Sequence, residues 1–293
     1  MRRWGLVVLA GMLLLAGCSA GTPAPPSDPF AIDERPATAG FYGELHRPPG
    51  ATDDPIRRPA VLVVGGAEGG LALDPLAAAL ARKGFVSLAV GYFGLPGLPP
   101  TLREIPLEYF ATALRVLAAQ PGVDPARIVV WGASRGSEVA QLLAVDFPAL
   151  VRGVVADSPS SVVHASSPSP HVAAWTLAGR PVRWASVAHQ DDPRTPGATI
   201  DDAAVAGPIL TICGGADALW PSCSFADAIA ARSPRVTELD YPAAGHTFVG
   251  LHLQGVQAPG VAARVAAAGG TSQANTDAAI DAFDRAVRFI AGV

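Results

Sequence analysis

The chain has 293 residues, half of them apolar and 16% charged, with 21 basic and 25 acidic residues for a net charge of −4. So apolar a composition excludes a disordered chain and suits a single α/β domain with a large buried core. No run of five basic residues occurs, so there is no electrostatic footprint for nucleic acid.

The chain opens with a segment that does not belong to the fold. Arg2 and Arg3 form a positive start, and Trp4 to Leu15 is apolar but short for a membrane span. This is the pattern of a signal peptide over residues 1–17. It ends in Leu15-Ala16-Gly17-Cys18, which resembles the lipobox of bacterial lipoproteins. The resemblance implies cleavage before Cys18, acylation of that cysteine, and anchoring in the cell envelope on the extracytoplasmic side. Residues 18–40, rich in Pro, Ser and Ala, read as a tether, and 41–293 as the folded domain. Export also changes how Cys213 and Cys223 read. Outside the cytoplasm an even pair tends to oxidise, and a disulfide between them would close a short loop around Asp217.

Within the domain, short apolar runs alternate with helical patterns, the signature of a mostly parallel sheet with crossover helices on both faces. Residues 60–64 read as a buried strand running into Gly65-Gly66-Ala67-Glu68-Gly69-Gly70. Residues 73–82 read as a helix and 85–90 as the next strand. Leu107, Phe110, Leu114 and Leu117 share one helical face, and Pro121-Gly122 ends that helix. Strands follow at 128–131, 153–156, 208–212 and 236–241, with a helix over 138–147. Ile280, Phe283, Val287 and Ile290 give the last helix an apolar stripe, with Thr271 as its N-cap. Residues 158–202 and 251–270 break the rhythm and read as loop-rich excursions at the carboxyl edge of the sheet.

The strongest local signal is Gly132-Ala133-Ser134-Arg135-Gly136, set between an apolar strand and a helix. A sharp strand-to-helix turn presents a serine nucleophile, and its tightness demands glycine at both ends. The base should be His246, in Gly245-His246-Thr247 after the strand at 236–241. The orienting acid should be Asp217, in Gly214-Gly215-Ala216-Asp217 after the strand ending at Ile212. Each follows a strand at its carboxyl end, and the order Ser, Asp, His is that of the α/β-hydrolase fold. Asp157 is the competing acid and His252 the competing base. Two backbone N–H groups should hold the oxyanion, those of Arg135 and Ala67. Glu68 beside them either steers the site or is a solvated charge.

Several segments resemble the C-terminal hydrolase domain of acyl-CoA thioesterases and bile acid-CoA:amino acid N-acyltransferases, a branch close to the dienelactone hydrolases. They are Ile105-Pro106-Leu107-Glu108-Tyr109-Phe110, the serine turn, Gly214-Gly215-Ala216-Asp217 with Leu219-Trp220-Pro221-Ser222, Gly245-His246, and the closing Gly269-Gly270-Thr271 helix. The resemblance implies the same triad at Ser134, Asp217 and His246. Some members of the family use cysteine as nucleophile. Serine here resembles the hydrolases more than the amidating enzymes. The family's N-terminal β-sandwich domain reads as missing or vestigial, given the short stretch before residue 60. Acyl-CoA is also a cytoplasmic metabolite, whereas this chain reads as exported.

The expected function is hydrolysis of a small-molecule carboxylic ester or thioester through an acyl-enzyme. The alternatives are an inactive lipoprotein that keeps the fold as a ligand-binding scaffold, and an acyltransferase. No cofactor is expected, and no protein partner is evident. Tyr92, Phe93, Trp175, Trp184 and Trp220 read as packing residues before pocket residues. Asp191-Asp192 and Asp201-Asp202 read as solvated loop charges, and no His, Cys and carboxylate set has metal-ligand spacing.

Overall fold

The computed structural model describes residues 40–49, 56–253 and 267–293. The signal peptide, Cys18, nearly all of the tether and part of the second excursion lie outside the described residues. Among the described residues, no helix is long and apolar enough to cross a membrane.

The frame is a seven-stranded sheet. In chain order its strands are β1 (Tyr42–His46), β2 (Arg58–Val64), β3 (Val86–Gly91), β5 (Val123–Ala133), β6 (Gly153–Asp157), β9 (Ile209–Gly214) and β10 (Val236–Tyr241). Their spatial order is β1-β3-β2-β5-β6-β9-β10. Only β1 is antiparallel, pairing Tyr42 with Gly91, and every other neighbour is parallel. The central strands are apolar on both faces because both faces are covered. Val61, Val63, Trp131 and Ile212 point into one layer, where α1 (Asp74–Arg82), α5 (Phe248–Leu253) and α6 (Ser272–Gly292) pack. Leu62, Val64, Val130 and Ile209 point into the other, with α2 (Leu107–Ala118), α3 (Arg135–Asp146) and α4 (Ser222–Arg232). This is the period-two alternation of a strand, with both sets buried.

The expected strands and helices are present within a few residues of their expected bounds, and four features were not foreseen. The first is β1, a short edge strand ahead of residue 60. The second is α4, which packs on β9 and β10, burying Ile229 in that face's core and Phe225 against Val162, Ala185 and Ala198 of the first excursion. The third is α5, a short helix where a loop was expected after His246. The fourth joins the first excursion to the residues just ahead of α2. There β4 (Ile105–Pro106), β7 (Trp175–Leu177) and β8 (Arg180–Pro181) form a small separate sheet. Ala178 and Gly179 both adopt positive φ, 50° and 72°, as a two-residue hairpin turn requires.

Two expectations need correction. On α6 the residues facing the sheet are Ala278, Ala279, Ala282, Ala286 and Ile290, while Ile280 is 53% exposed. Small side chains let this helix lie close to the sheet, so the seam runs along alanines and Phe283 and Val287 flank it. Asp202 is not a solvated charge. It is buried and accepts a 2.6 Å bond from Arg232 on α4. Burial pushes its carboxyl up to about 6 despite that cation. Asp191, Asp192 and Asp201 are exposed as expected. The side-chain hydroxyl of Thr271 caps α6, accepting from the N–H of Ala274 at 3.1 Å.

Candidate active site

Ser134 stands between the end of β5 and the start of α3, at φ 54° and ψ −122°. A non-glycine residue there carries strain of about 1–3 kcal/mol. Close packing of the turn enforces it. A methyl group at Gly132 would lie 1.9 Å from the carbonyl oxygen of Gly136, and one at Gly136 would lie 2.3 Å from that of Val64. The N–H of Ser134 donates to the carbonyl of Asp157 at 2.9 Å, and its own carbonyl accepts from the N–H of Ser137 at 2.8 Å. The backbone is thus fixed on both sides of a side chain that faces a cavity.

Asp217 ends the turn after β9. Its Oδ1 accepts from the N–H groups of Leu219 and Trp220 at 2.9 and 3.2 Å. That leaves Oδ2 to accept from Nδ1 of His246 at 2.7 Å. The arrangement places the imidazole proton on Nδ1 and leaves Nε2 as the acceptor. Nε2 is buried and has no hydrogen-bond partner among the described residues. The backbone of His246 is also pinned, its N–H donating to the carbonyl of Ala268 at 2.8 Å. The preceding Gly245 fits only as glycine, since an added methyl would lie 2.1 Å from the Gly269 carbonyl. Asn275 on α6 holds this crossing, accepting from the N–H of Gly245 at 2.7 Å and donating to Gly269 at 3.1 Å. Sequence reading missed Asn275. Only the Thr271 cap four residues earlier hinted that the start of α6 lies against the site. The ring of Trp220 stands edge-on to His246 with centroids 5.0 Å apart.

Cys213 at the end of β9 and Cys223 on α4 are joined by a disulfide, with Cα atoms 5.1 Å apart. The bond encloses the turn that carries Asp217, as the sequence suggested.

Ser134 and His246 line one cavity of about 510 Å³, together with Ala67, Glu68, Leu73 and Gly250. Its wall is mostly small and apolar. Arg135 is the first residue of α3, whose leading N–H groups have no acceptor within the helix. Ala67 is on the cavity wall. The Tyr92 hydroxyl lies 2.8 and 2.7 Å from the carbonyl oxygens of Gly65 and Gly66. It shares its proton between them and so ties the loop before Ala67 to the strand edge. The Arg135 side chain turns away, donating to the carbonyls of His164 and Ala165 and to buried Glu138. Burial alone would raise the Glu138 carboxyl. The Arg135 charge, with bonds from His164 and Trp175, outweighs that and holds it below its usual range.

The competing residues are placed differently. Asp157 lies at the end of β6, fully buried, and the Trp131 and Ser158 side chains beside it only partly offset the burial of its carboxylate. Burial, reinforced by the charge of Asp217, pushes its carboxyl up to about 7. An acid that keeps its proton part of the time at neutral pH is the weaker stabiliser of an imidazolium. His252 lies on α5 and is not among the residues lining the cavity. Tyr92, Phe93 and Trp175 are core residues, and neither Trp184 nor Trp220 lines the cavity. Among the described residues two groups of potential metal ligands come close together. In one, Cys213 and Cys223 are already bonded to each other beside Asp240. In the other, Glu44, His46 and Asp74, Nε2 of His46 and Oδ1 of Asp74 are 2.6 Å apart.

A mostly parallel sheet with helices on both faces and a serine on the strand-to-helix turn defines an α/β-hydrolase. Solved structures agree on the fold. A putative dienelactone hydrolase from Klebsiella pneumoniae superposes with a TM-score of 0.59 at 18% identity, over 86% of this chain and 93% of that one. An esterase from Pyrobaculum calidifontis gives 0.55 at 19% identity, over 86% and 80%.

Residues 105–292 match the family model described as BAAT / Acyl-CoA thioester hydrolase C terminal, and the chain belongs to this family. Human acyl-coenzyme A thioesterase 1 is 32% identical over 128 residues, 43% of this chain and 29% of that protein. The bile acid-CoA:amino acid N-acyltransferase of Mus musculus is 32% identical over 130 residues, 44% and 29%. The matches thus span under a third of these relatives. By name, the relatives include both thioesterases and acyltransferases.

Proposed function

We propose that this protein is a serine hydrolase of carboxylic esters or thioesters, acting through an acyl-enzyme. The observation that carries the reading is His246, bonded through Nδ1 to Asp217 at 2.7 Å and lining the same cavity as strained Ser134. Ser134 Oγ attacks the acyl carbon while His246 Nε2 takes its proton. Asp217 holds the imidazole and stabilises its charge. The N–H groups of Ala67 and Arg135 receive the oxyanion. His246 returns the proton to the departing alcohol or thiol. Water, activated by the same base, then releases the acid.

The strain at Ser134 also weighs against the binding-scaffold reading, because a scaffold gains nothing from holding a serine there. Acyl transfer shares every step up to the acyl-enzyme and differs only in what attacks it. Turnover of p-nitrophenyl butyrate and a butyryl thioester, with and without glycine as acceptor, separates the two. Free butyrate as the product in both conditions supports hydrolysis. Butyrylglycine as the main product would replace it by acyl transfer.

The same reading includes export and a lipid anchor at Cys18. The signal-like residues 1–17 support it, as does the Cys213–Cys223 disulfide, which suits an oxidising compartment. Metabolic labelling with a fatty acid should mark the protein and be lost in Cys18→Ala. An unlabelled wild type would refute the anchor.

A further inference from the structure

The Glu68 carboxylate folds back over the turn ahead of Ala67. A methyl group on Gly66 would lie 2.7 Å from Oε2 of Glu68 and 2.9 Å from Cβ of Ser134. The carboxylate and the Ser134 side chain therefore flank a single point. Glu68 is exposed and lines the cavity, and no lysine or arginine is among the described residues that do so. Burial is what chiefly pushes the Tyr92 phenol and the Asp157 carboxyl upward, and the Glu68 charge adds to both in the same direction.

Any acyl donor that reaches Ser134 shares a largely apolar cavity with this negative charge. Like charges a few ångströms apart at a partly desolvated site repel, and such juxtapositions set specificity more than affinity. We propose that Glu68 is a charge filter. The substrates are neutral or cationic esters and thioesters, and polyanionic acyl carriers are turned away. This rests on the hydrolase reading above and separates the chain from the coenzyme A thioesters named for its relatives.

The test compares matched butyryl substrates in wild type and Glu68→Gln. Butyrylcholine and 3,3-dimethylbutyl butyrate differ in one positive charge. Butyryl-pantetheine and butyryl-coenzyme A differ in their phosphates. Wild-type kcat/KM should favour the more positive member of each pair by roughly 5-fold or more at low ionic strength. Both ratios should move toward one in Glu68→Gln, and the wild-type ratios should shrink as salt is added. Wild-type ratios near one, a preference for butyryl-coenzyme A, or ratios that Glu68→Gln and salt leave unchanged would overturn the filter. Loss of turnover on all four substrates in wild type would overturn the hydrolase reading itself, and the filter with it.

Discussion

Nδ1 of His246 and Oδ2 of Asp217 are 2.7 Å apart, both side chains are almost wholly buried, and the second oxygen of Asp217 is engaged by two backbone N–H groups. The imidazole therefore has one tautomer and one orientation available to it. Asp217→Asn preserves the shape but offers an amide where the acceptor stood. The expected result is a fall in kcat of about 10³–10⁴ with KM little changed. Asp157→Asn, at the competing position, should cost far less. Equal losses would mean that the assignment of the acid is wrong.

The turn around Ser134 has no room for a side chain at either flanking position. Gly132→Ala and Gly136→Ala each place a methyl against a carbonyl oxygen of the neighbouring backbone. Each should lower stability by several kcal/mol, more than the ~1–3 kcal/mol of ordinary overpacking, because backbone must move. Chemical denaturation reads this directly. A change under about 1 kcal/mol would show that the turn is looser than described.

Tyr92 does not line the cavity, but it ties the carbonyls of Gly65 and Gly66. Tyr92→Phe removes that tie and should relax the loop carrying Ala67, the proposed oxyanion donor. The loss in kcat should be roughly 10-fold, within the ~3–4 kcal/mol that one oxyanion donor supplies. A KM effect without a kcat effect would place Tyr92 in substrate binding instead.

Asp157 gives a pH signature. Folded, it keeps its proton up to about 7, against an ordinary value of 3.8. Between those values the folded state binds more protons than the unfolded one, so this carboxyl's contribution to stability is full below about 4 and is lost as pH rises toward 7. Asp157→Asn should remove that loss, on the order of a few kcal/mol across the interval. Unfolding free energies of wild type and variant at pH 4 and pH 7 measure it. A difference between the two proteins that is the same at both pH values would contradict the raised value.

What the sequence revealed and what it hid follow from the range of the interactions. The parallel strands were legible because burial on both faces makes them continuous apolar runs, as at Val61 to Val64. The serine turn was legible because sterics force glycine at positions 132 and 136. β1 was hidden because an edge strand of five residues carries little pattern, and Gly43 interrupts it for a non-local reason, the Ala89 carbonyl 2.7 Å from where its Cβ would be. The seam of α6 was misplaced because alanine is a weak periodic signal even where it makes the closest contacts. Asn275 and the pairing of Asp202 with Arg232 depend on contacts 30 residues apart, which local pattern does not carry.

The central claim is that Ser134 is an activated nucleophile, and labelling by a fluorophosphonate probe tests it most directly. The folded wild-type domain should be labelled covalently and Ser134→Ala should not, with labelling also sharply reduced in His246→Ala. A folded wild type that resists the probe, or a Ser134→Ala variant that still takes it, would contradict the account.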